Sequence, residues 1–412
     1  MKKLITLIMV LALAFSFVAC TSSGNADQAA AAAPAAATDV ATDAAATADA
    51  AANVPDEVTI GFVAGLSGDN AQAGQFKKDA VKVIDSELAA TNGCITILGK
   101  QVKVNIVFED TESKADICAN AYSKCINDLG CIAIVGPDES SMTLAGAPIA
   151  QQAGIPVVST FATNVKVTQV GDYIFRACYI DPFQGKVAAT YAFSTLGAKT
   201  AGILYSNADP YSTGLMEAFS ENFEALGGKV VDVETYAGSD VKDFNAQLSN
   251  IYTQQPDVLW MPNQIGELPL QIQQARAMGI TSVFMGGDSW DVTTLAETTG
   301  IDLVEGAYYV SCFSAESESA AAKQWVEEFT SINGYAPGAH ATLAYEAIKI
   351  VLNGLQNMTE FSTTNLRDQI VATDIELPSG RVTFDENRNP NKAAVIMQYQ
   401  GGVGKYITTV QP

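Results

Sequence analysis

From residue 58 onward the chain alternates two hydrophobic periods. Short β-branched runs at 58–63, 102–108, 131–135 and 156–158 are separated by stretches whose apolar positions recur every three or four residues. Ala80, Val83, Ile84 and Leu88 form one such stripe, and Ala119, Tyr122, Ile126 and Leu129 another. A second series follows, with strands predicted over 200–205, 229–236, 258–261 and 282–285 and helices over 183–196, 212–226, 243–252 and 266–278. Further helical patterns carry Trp325, Phe329 and Ile332, then Leu343, Ala347, Ile350, Val351 and Leu355, ahead of a strand-rich tail. Apolar strands alternating with amphipathic helices fit a parallel sheet covered on both faces. The expected fold class is therefore α/β, with two doubly wound parallel-sheet lobes of similar build.

The first 55 residues follow neither period. Lys2 and Lys3 precede an apolar run over 4–18 that Ala19 and Cys20 close, the layout of an export signal over 1–20. Cys20 sits where a bacterial lipoprotein signal carries its acylated cysteine, although Phe17 stands where such sequences usually have Leu. A plain signal peptide with an incidental cysteine is the alternative. Residues 21–55 are nearly all Ala, Thr, Asp, Ser and Asn, with no aromatic residue, Leu, Ile or Phe. Such a segment cannot bury enough apolar surface to offset ordering entropy and reads as a disordered tether. Together these features predict an extracytoplasmic body, lipid-anchored to the outer face of a bacterial cell membrane or free in the periplasm.

Charge narrows the partners. The 412 residues carry 23 Lys and Arg against 45 Asp and Glu, a formal charge of −22, with a pI near 4.3. Nucleic-acid backbones and anionic lipid surfaces would repel such a chain, which leaves the lipid as its only membrane contact. His340 is the only histidine. That leaves little room for a His-based catalytic triad or a multi-His metal centre, so no catalytic residue, metal or cofactor is expected. Gly65-Leu66-Ser67-Gly68 lacks the spacing of a nucleophile elbow, and the glycines of 401–404 lack the Ser or Thr of a phosphate loop.

In open α/β sheets, ligands bind outside the carboxyl ends of the strands. The loop after the strand at 131–135 reads Gly136-Pro137-Asp138-Glu139-Ser140-Ser141 and leads into a helix. Ser140 and Ser141 thus sit at a helix N-terminus, where they either cap the helix or help to hold an anion. The next strand is followed by Ser159-Thr160-Phe161-Ala162-Thr163-Asn164. In the second series, Tyr211 and Glu267 follow strands at the same edge, and Asp288 and Asp291 flank Trp290 as a plausible polar cleft wall. Two hydroxyl loops facing an aromatic ring and a carboxylate suit a small zwitterion.

These residues carry a resemblance. From residue 58 to the C-terminus the chain resembles type I periplasmic binding proteins of the leucine/isoleucine/valine-binding family, the receptors of branched-chain amino acid ABC transporters. The motifs are GFVAGLSG from Gly61, Ile134-Val135-Gly136 with Ser140, Phe161-Ala162-Thr163, Asp181-Pro182-Phe183-Gln184-Gly185, Glu267 twelve residues before Gly279, and Phe384-Asp385-Glu386-Asn387. The resemblance implies one ligand between two lobes joined by three crossover segments near Ala177, Tyr308 and Val382. Lobe 1 then comprises 56–177 and 308–382, and lobe 2 comprises 178–307 and 383–412. It also implies that Ser140 and Thr163 hold an α-carboxylate, that the Phe161 carbonyl and Glu267 receive an ammonium, and that Tyr211 closes over the ligand. Two positions depart from the pattern: Ala73 replaces an aromatic residue, and His340 replaces an apolar one. His340 either touches the ligand side chain or is a solvated or capping residue at the start of a helix over 340–355.

Six cysteines besides Cys20 stand at 94, 118, 125, 131, 178 and 312. Cys118 and Cys125 lie about 10 Å apart along one predicted helix and cannot bridge each other. A disulfide among Cys94, Cys125 and Cys131 and a set of buried free thiols are both open. The functional reading is a monomeric solute-binding lipoprotein that delivers an amino acid, branched-chain or related, to an ABC permease. The alternatives are a sensor presenting ligand to a receptor, or a binder of another small carboxylate or amide. An exported enzyme is disfavoured, because nucleophile and base constellations are scarce.

Overall fold

Residues 57 to 64 read Glu-Val-Thr-Ile-Gly-Phe-Val-Ala, a run with apolar side chains for both faces of a strand. Phe62 packs toward Val81, Ile84 and the long helix Ala339–Gln356, whereas Val63 joins Tyr122, Cys125 and Met142 on the opposite face. The computed structural model describes residues 53–412 apart from Thr293. The export signal, Cys20 and the tether up to residue 52 lie outside the described residues.

Glu57–Ala64 is central to a six-stranded sheet. In spatial order the strands are Cys94–Ile97, Lys100–Asp110, Glu57–Ala64, Ala133–Val135, Val157–Ser159 and Ile174–Arg176. A seven-stranded sheet follows the order Val403–Val410, Ala394–Gln400, Tyr308–Ser311, Val283–Gly286, Val258–Trp260, Thr200–Ser206 and Lys229–Tyr236. In its interior, Ile203 and Trp260 meet Leu215 and Phe219 on one face, while Leu204 and Leu259 meet Leu248 and Ile272 on the other. The two doubly wound lobes expected from periodicity are therefore present, each parallel through its centre. The edges depart from that expectation. Cys94–Ile97 pairs antiparallel with Lys100–Asp110, and Ala394–Gln400 pairs antiparallel with both its neighbours. Cys94–Ile97 with Lys100–Asp110, and Ala394–Gln400 with Val403–Val410, are hairpins closed by two-residue connections, which only antiparallel strands permit.

Three crossover segments join the lobes. The first leaves Ile174–Arg176 for the helix Asp181–Thr190, close to the expected Ala177. The second was expected near Tyr308, but Tyr308–Ser311 is paired on both sides within the second sheet, so the chain crosses after Ser311. It then returns through the helices Ala320–Asn333 and Ala339–Gln356 to cover the first sheet. The third runs from the ribbon Asp374–Leu377 and Gly380–Thr383 to Ala394–Gln400. All six described cysteines outside the tether are free thiols, five of them buried, so no disulfide joins Cys94, Cys125 and Cys131.

One buried ion pair ties the long helix to the third crossover. Glu346 and Lys392 are both buried, and Lys392 Nζ donates to Glu346 Oε2 and, at 2.6 Å, to Ser379 Oγ. Ser379 donates its own N–H and hydroxyl back to the same carboxylate, at 2.6 and 2.9 Å. Removing one partner of such a pair strands the other charge. Lys392→Met should therefore cost about 3–5 kcal/mol in urea unfolding. Adding Glu346→Gln should restore at least about half of the loss, because the amide still accepts from Ser379 without a buried charge.

Candidate functional site

The doubly wound strand orders set the position of the site. In the first sheet the order reverses between Glu57–Ala64 and Ala133–Val135; in the second it reverses between Thr200–Ser206 and Val258–Trp260. Loops leaving such strands diverge and open a crevice at their carboxyl ends. Both crevices face one narrow cavity, lined by Asn70, Ala73, Asp138, Glu139, Ser140 and Phe161 from one side and by Tyr211, Gln264, Ile265, Asp288 and Ser289 from the other. His340, near the start of Ala339–Gln356, completes the lining. Asn164 Nδ2 donates across the cleft to the Pro210 carbonyl at 2.7 Å, and Thr294 is hydrogen-bonded to Gln72, so the lobes are in contact.

Local features aim each loop. Gly136 has φ +86, and a Cβ there would lie 2.2 Å from the Val63 carbonyl; only glycine lets the chain turn so tightly into Asp138–Glu139–Ser140. Ser140 begins the helix Ser140–Ala153, where Glu139 is the N-cap residue and makes no side-chain capping bond. Ser140 Oγ accepts from Asn164 N–H at 3.2 Å rather than capping its own helix. The hydroxyl proton and the first helical amides are thereby left for an anion. The loop with Phe161 and Thr163 is held from beneath by fully buried Arg176, which donates to the carbonyls of Ala162 and Asn164. Across the cleft, Asp209 caps Pro210–Ala225 by accepting from Tyr211 N–H at 3.3 Å, and Pro210 occupies the favoured first turn. Gly287 keeps the wall open, since a Cβ there would lie 2.5 Å from the Tyr211 hydroxyl.

The cavity is rich in buried carboxyls, and each is managed differently. Asp138 receives the Thr160 hydroxyl, lies 2.6 Å from Lys77 Nζ and lies 3.0 Å from His340 Nδ1. The Lys77 contact is ionic and poorly angled for a hydrogen bond, so the ammonium has no hydrogen-bond acceptor. Burial pushes the Asp138 carboxyl up, but Lys77 and His340 outweigh it and hold the group well below the ordinary carboxylate range. Glu139 accepts from Asn70 Nδ2, and burial pushes its carboxyl up against the pull of Lys77. Asp288 accepts from the Tyr211 hydroxyl at 2.8 Å, and burial pushes it up to about 6, with Gln184 and Tyr211 opposing. His340 stacks on Phe161 with ring centroids 4.3 Å apart and planes 10° apart.

Of the residues predicted from sequence, Ser140, Phe161, Tyr211 and His340 line this cavity. Thr163 does not. It is buried behind the wall, its carbonyl accepting from Asp181 N–H at 3.0 Å and its hydroxyl unpartnered. Nor does Glu267, whose Oε2 accepts from Tyr236 at 2.5 Å and which faces an adjoining opening beside Asp209 and Ser239. Burial pushes Glu267 up to about 7. The carboxylate that does line the cavity from the second lobe is Asp288. Sequence analysis marked it only as a possible cleft wall, and Lys77, Asn70, Asp138 and Glu139 carried no signal of their own.

Residues 57–403 match the family described as periplasmic binding protein. The leucine-, isoleucine-, valine-, threonine- and alanine-binding protein of Pseudomonas aeruginosa is 25% identical over 334 residues, covering 80% of this chain and 86% of that one. The crystal structure of a leucine binding protein, LivK, from Thermotoga maritima is 30% identical with a TM-score of 0.80, covering 86% of this chain and 99% of that chain. The branched-chain amino acid transporter substrate binding protein LivJ of Streptococcus pneumoniae, solved in complex with isoleucine, is 28% identical with a TM-score of 0.79, covering 86% of this chain and all of that one.

Asp288 supplies a test of these electrostatics. Its folded pKa, about 6, lies above the 3.8 of a free aspartate, so ionising it opposes folding. Its contribution to stability is full below about pH 3.8 and is lost as pH rises through about 6. Asp288→Asn should therefore gain about 2.5 kcal/mol over the parent between pH 4 and pH 8, read as the change in their difference in urea unfolding free energy. A difference independent of pH would contradict the burial assigned to this carboxyl.

Proposed function

The chain belongs to the periplasmic binding protein family, and from that premise we propose that it is the extracytoplasmic solute-binding protein of an ABC importer, capturing an amino acid between its lobes and delivering it to the permease. The observation that carries this reading is a pair of opposite polarities across one cavity between the lobes. Unpaired helical amides and the Ser140 hydroxyl stand on the first lobe, and the Asp288 carboxylate, oriented by Tyr211, stands on the second. A zwitterion withdrawn from water needs charge-assisted partners at both ends, and this arrangement offers one for each.

In this reading the α-carboxylate sits on Ser140 and the helix amides, with Thr163 supporting from behind. The ammonium sits between the Phe161 carbonyl and Asp288, and Tyr211 covers the ligand from the second lobe. His340 belongs to the side-chain end, and Glu267 is an outer carboxylate at the mouth of the cleft rather than the ammonium partner. The body works as a monomer, tethered to a lipid on Cys20 through the residues ahead of Val54; the tether is shorter than the expected 21–55, because Val54 is already packed in the core and its carbonyl accepts from Lys100. Binding draws the lobes together about the three crossovers, since residues from both must touch one ligand.

Removing one member of a buried charge pair costs about 2–5 kcal/mol. Asp288→Asn should therefore weaken an amino acid by roughly thirty-fold to several thousand-fold in calorimetry and weaken its des-amino analogue far less. Equal losses for the two ligands would remove the ammonium assignment. For the anchor, Cys20→Ala should move the protein from the membrane to the soluble fraction. Recovery of the unmutated protein as soluble with Cys20 unmodified would end that part of the reading.

A further inference from the structure

Three residues of the cavity lining do not suit an aliphatic side chain. Asn70 precedes the helix Ala71–Ala89, Glu139 ends the strand loop of the first sheet, and His340 comes from the returning segment. All three line the cavity at 5–6% exposure, and each leaves a buried polar atom without a partner: Asn70 Oδ1, Glu139 Oε2 and His340 Nε2.

Asn70 Oδ1 is an acceptor, Glu139 Oε2 is one in the ionised carboxyl, and His340 Nε2 is one in the neutral ring. Asn70 must point its amide nitrogen at Glu139, because a carboxylate only accepts, so its free atom is the carbonyl oxygen. His340 Nδ1 faces the Asp138 carboxylate, already engaged by Lys77 and Thr160, so the ring donates there and its neutral form offers the Nε2 lone pair. Asp288 Oδ2 is a fourth unpartnered acceptor on the same lining.

An α-ammonium carries three N–H bonds, and four separate acceptors face this cavity. Charge points the same way: Lys77 pairs with Asp138, whereas neither Glu139 nor Asp288 makes an ion pair of its own among the described residues. A leucine or isoleucine side chain would bury Asn70, Glu139 and His340 unsatisfied, which a site pays for in affinity. Ala73, whose side chain is a single methyl group, belongs to the same lining.

Resting on the amino-acid reading above, we propose that the ligand is an amino acid whose side chain ends in N–H donors, an amide, amine or guanidinium, and that Asn70, Glu139 and His340 are the residues that select it.

The test is calorimetry of the mature protein with L-glutamine, L-arginine, L-lysine, L-leucine and L-glutamate. At least one of the first three should bind at least about tenfold tighter than leucine, since each unfilled buried acceptor is worth roughly five- to a hundred-fold. Glu139→Gln should then separate the two sources of N–H: an amide ligand keeps its affinity within a few-fold, and a cationic one loses at least about tenfold. Asn70→Leu, on a different element, should lower the preference over leucine by about fivefold or more, so the argument does not hang on one variant folding. Leucine or glutamate as the tightest ligand overturns the proposal and leaves the amino-acid reading standing. Binding of no amino acid at all overturns both.

Discussion

A buried carboxylate without a partner costs more than a domain can spare, and Asp138 is buried at the centre of this molecule. Its three partners come from distant parts of the chain: Lys77 from the first helix, Thr160 from a strand-end loop, and His340 from a segment that has visited the second lobe and returned. Satisfying that one charge pins the helix Ala71–Ala89, the loop after Val157–Ser159 and the helix Ala339–Gln356 around the crevice of the first sheet. The cavity wall follows from this arrangement, since Glu139 and Ser140 succeed Asp138 in the chain and Phe161 succeeds Thr160.

The same wall shows how little of the cavity's polarity is structural. Asp138 is fully engaged, whereas Asn70, Glu139, Asp288 and His340 each spend one polar atom on a neighbour and turn another inward without a partner. Unfilled acceptors of this kind are expensive in a folded protein and are retained where something else fills them. Their spread over two lobes means that a ligand able to fill them holds the lobes together.

The second lobe orients its contribution by a different device. Asp209 caps the helix that presents Tyr211, Tyr211 donates to Asp288, and the Ser289 N–H donates to the Tyr211 hydroxyl at 3.3 Å. Burial raises the pKa of Asp288 as far as it does because no cation approaches it within the lobe. The carboxylate is thus directed at the cavity and left in want of positive charge. Glu267 also accepts from a tyrosine, Tyr236, but faces the adjoining opening instead of this cavity.

Periodicity was enough to read the two sheets, because a strand buried on both faces and a helix covering it write their patterns locally. The strand Lys229–Tyr236 and the helix beginning at Ser140 stand where those patterns end. Short motifs, with the family resemblance they carry, were also enough to bring Ser140, Phe161, Tyr211 and His340 forward. Three things were beyond them. The antiparallel edges and the membership of Tyr308–Ser311 in the second sheet depend on which strands meet, not on how each is composed. The choice between Glu267 and Asp288 depends on a tyrosine 31 residues from the former and another 77 from the latter. Lys77, Asn70 and Glu139 look like ordinary surface residues in sequence, and only their burial against partners tens to hundreds of residues away turns them into a wall. Pattern is a local property of the chain, whereas the state of a buried polar group is decided by what the fold brings to it.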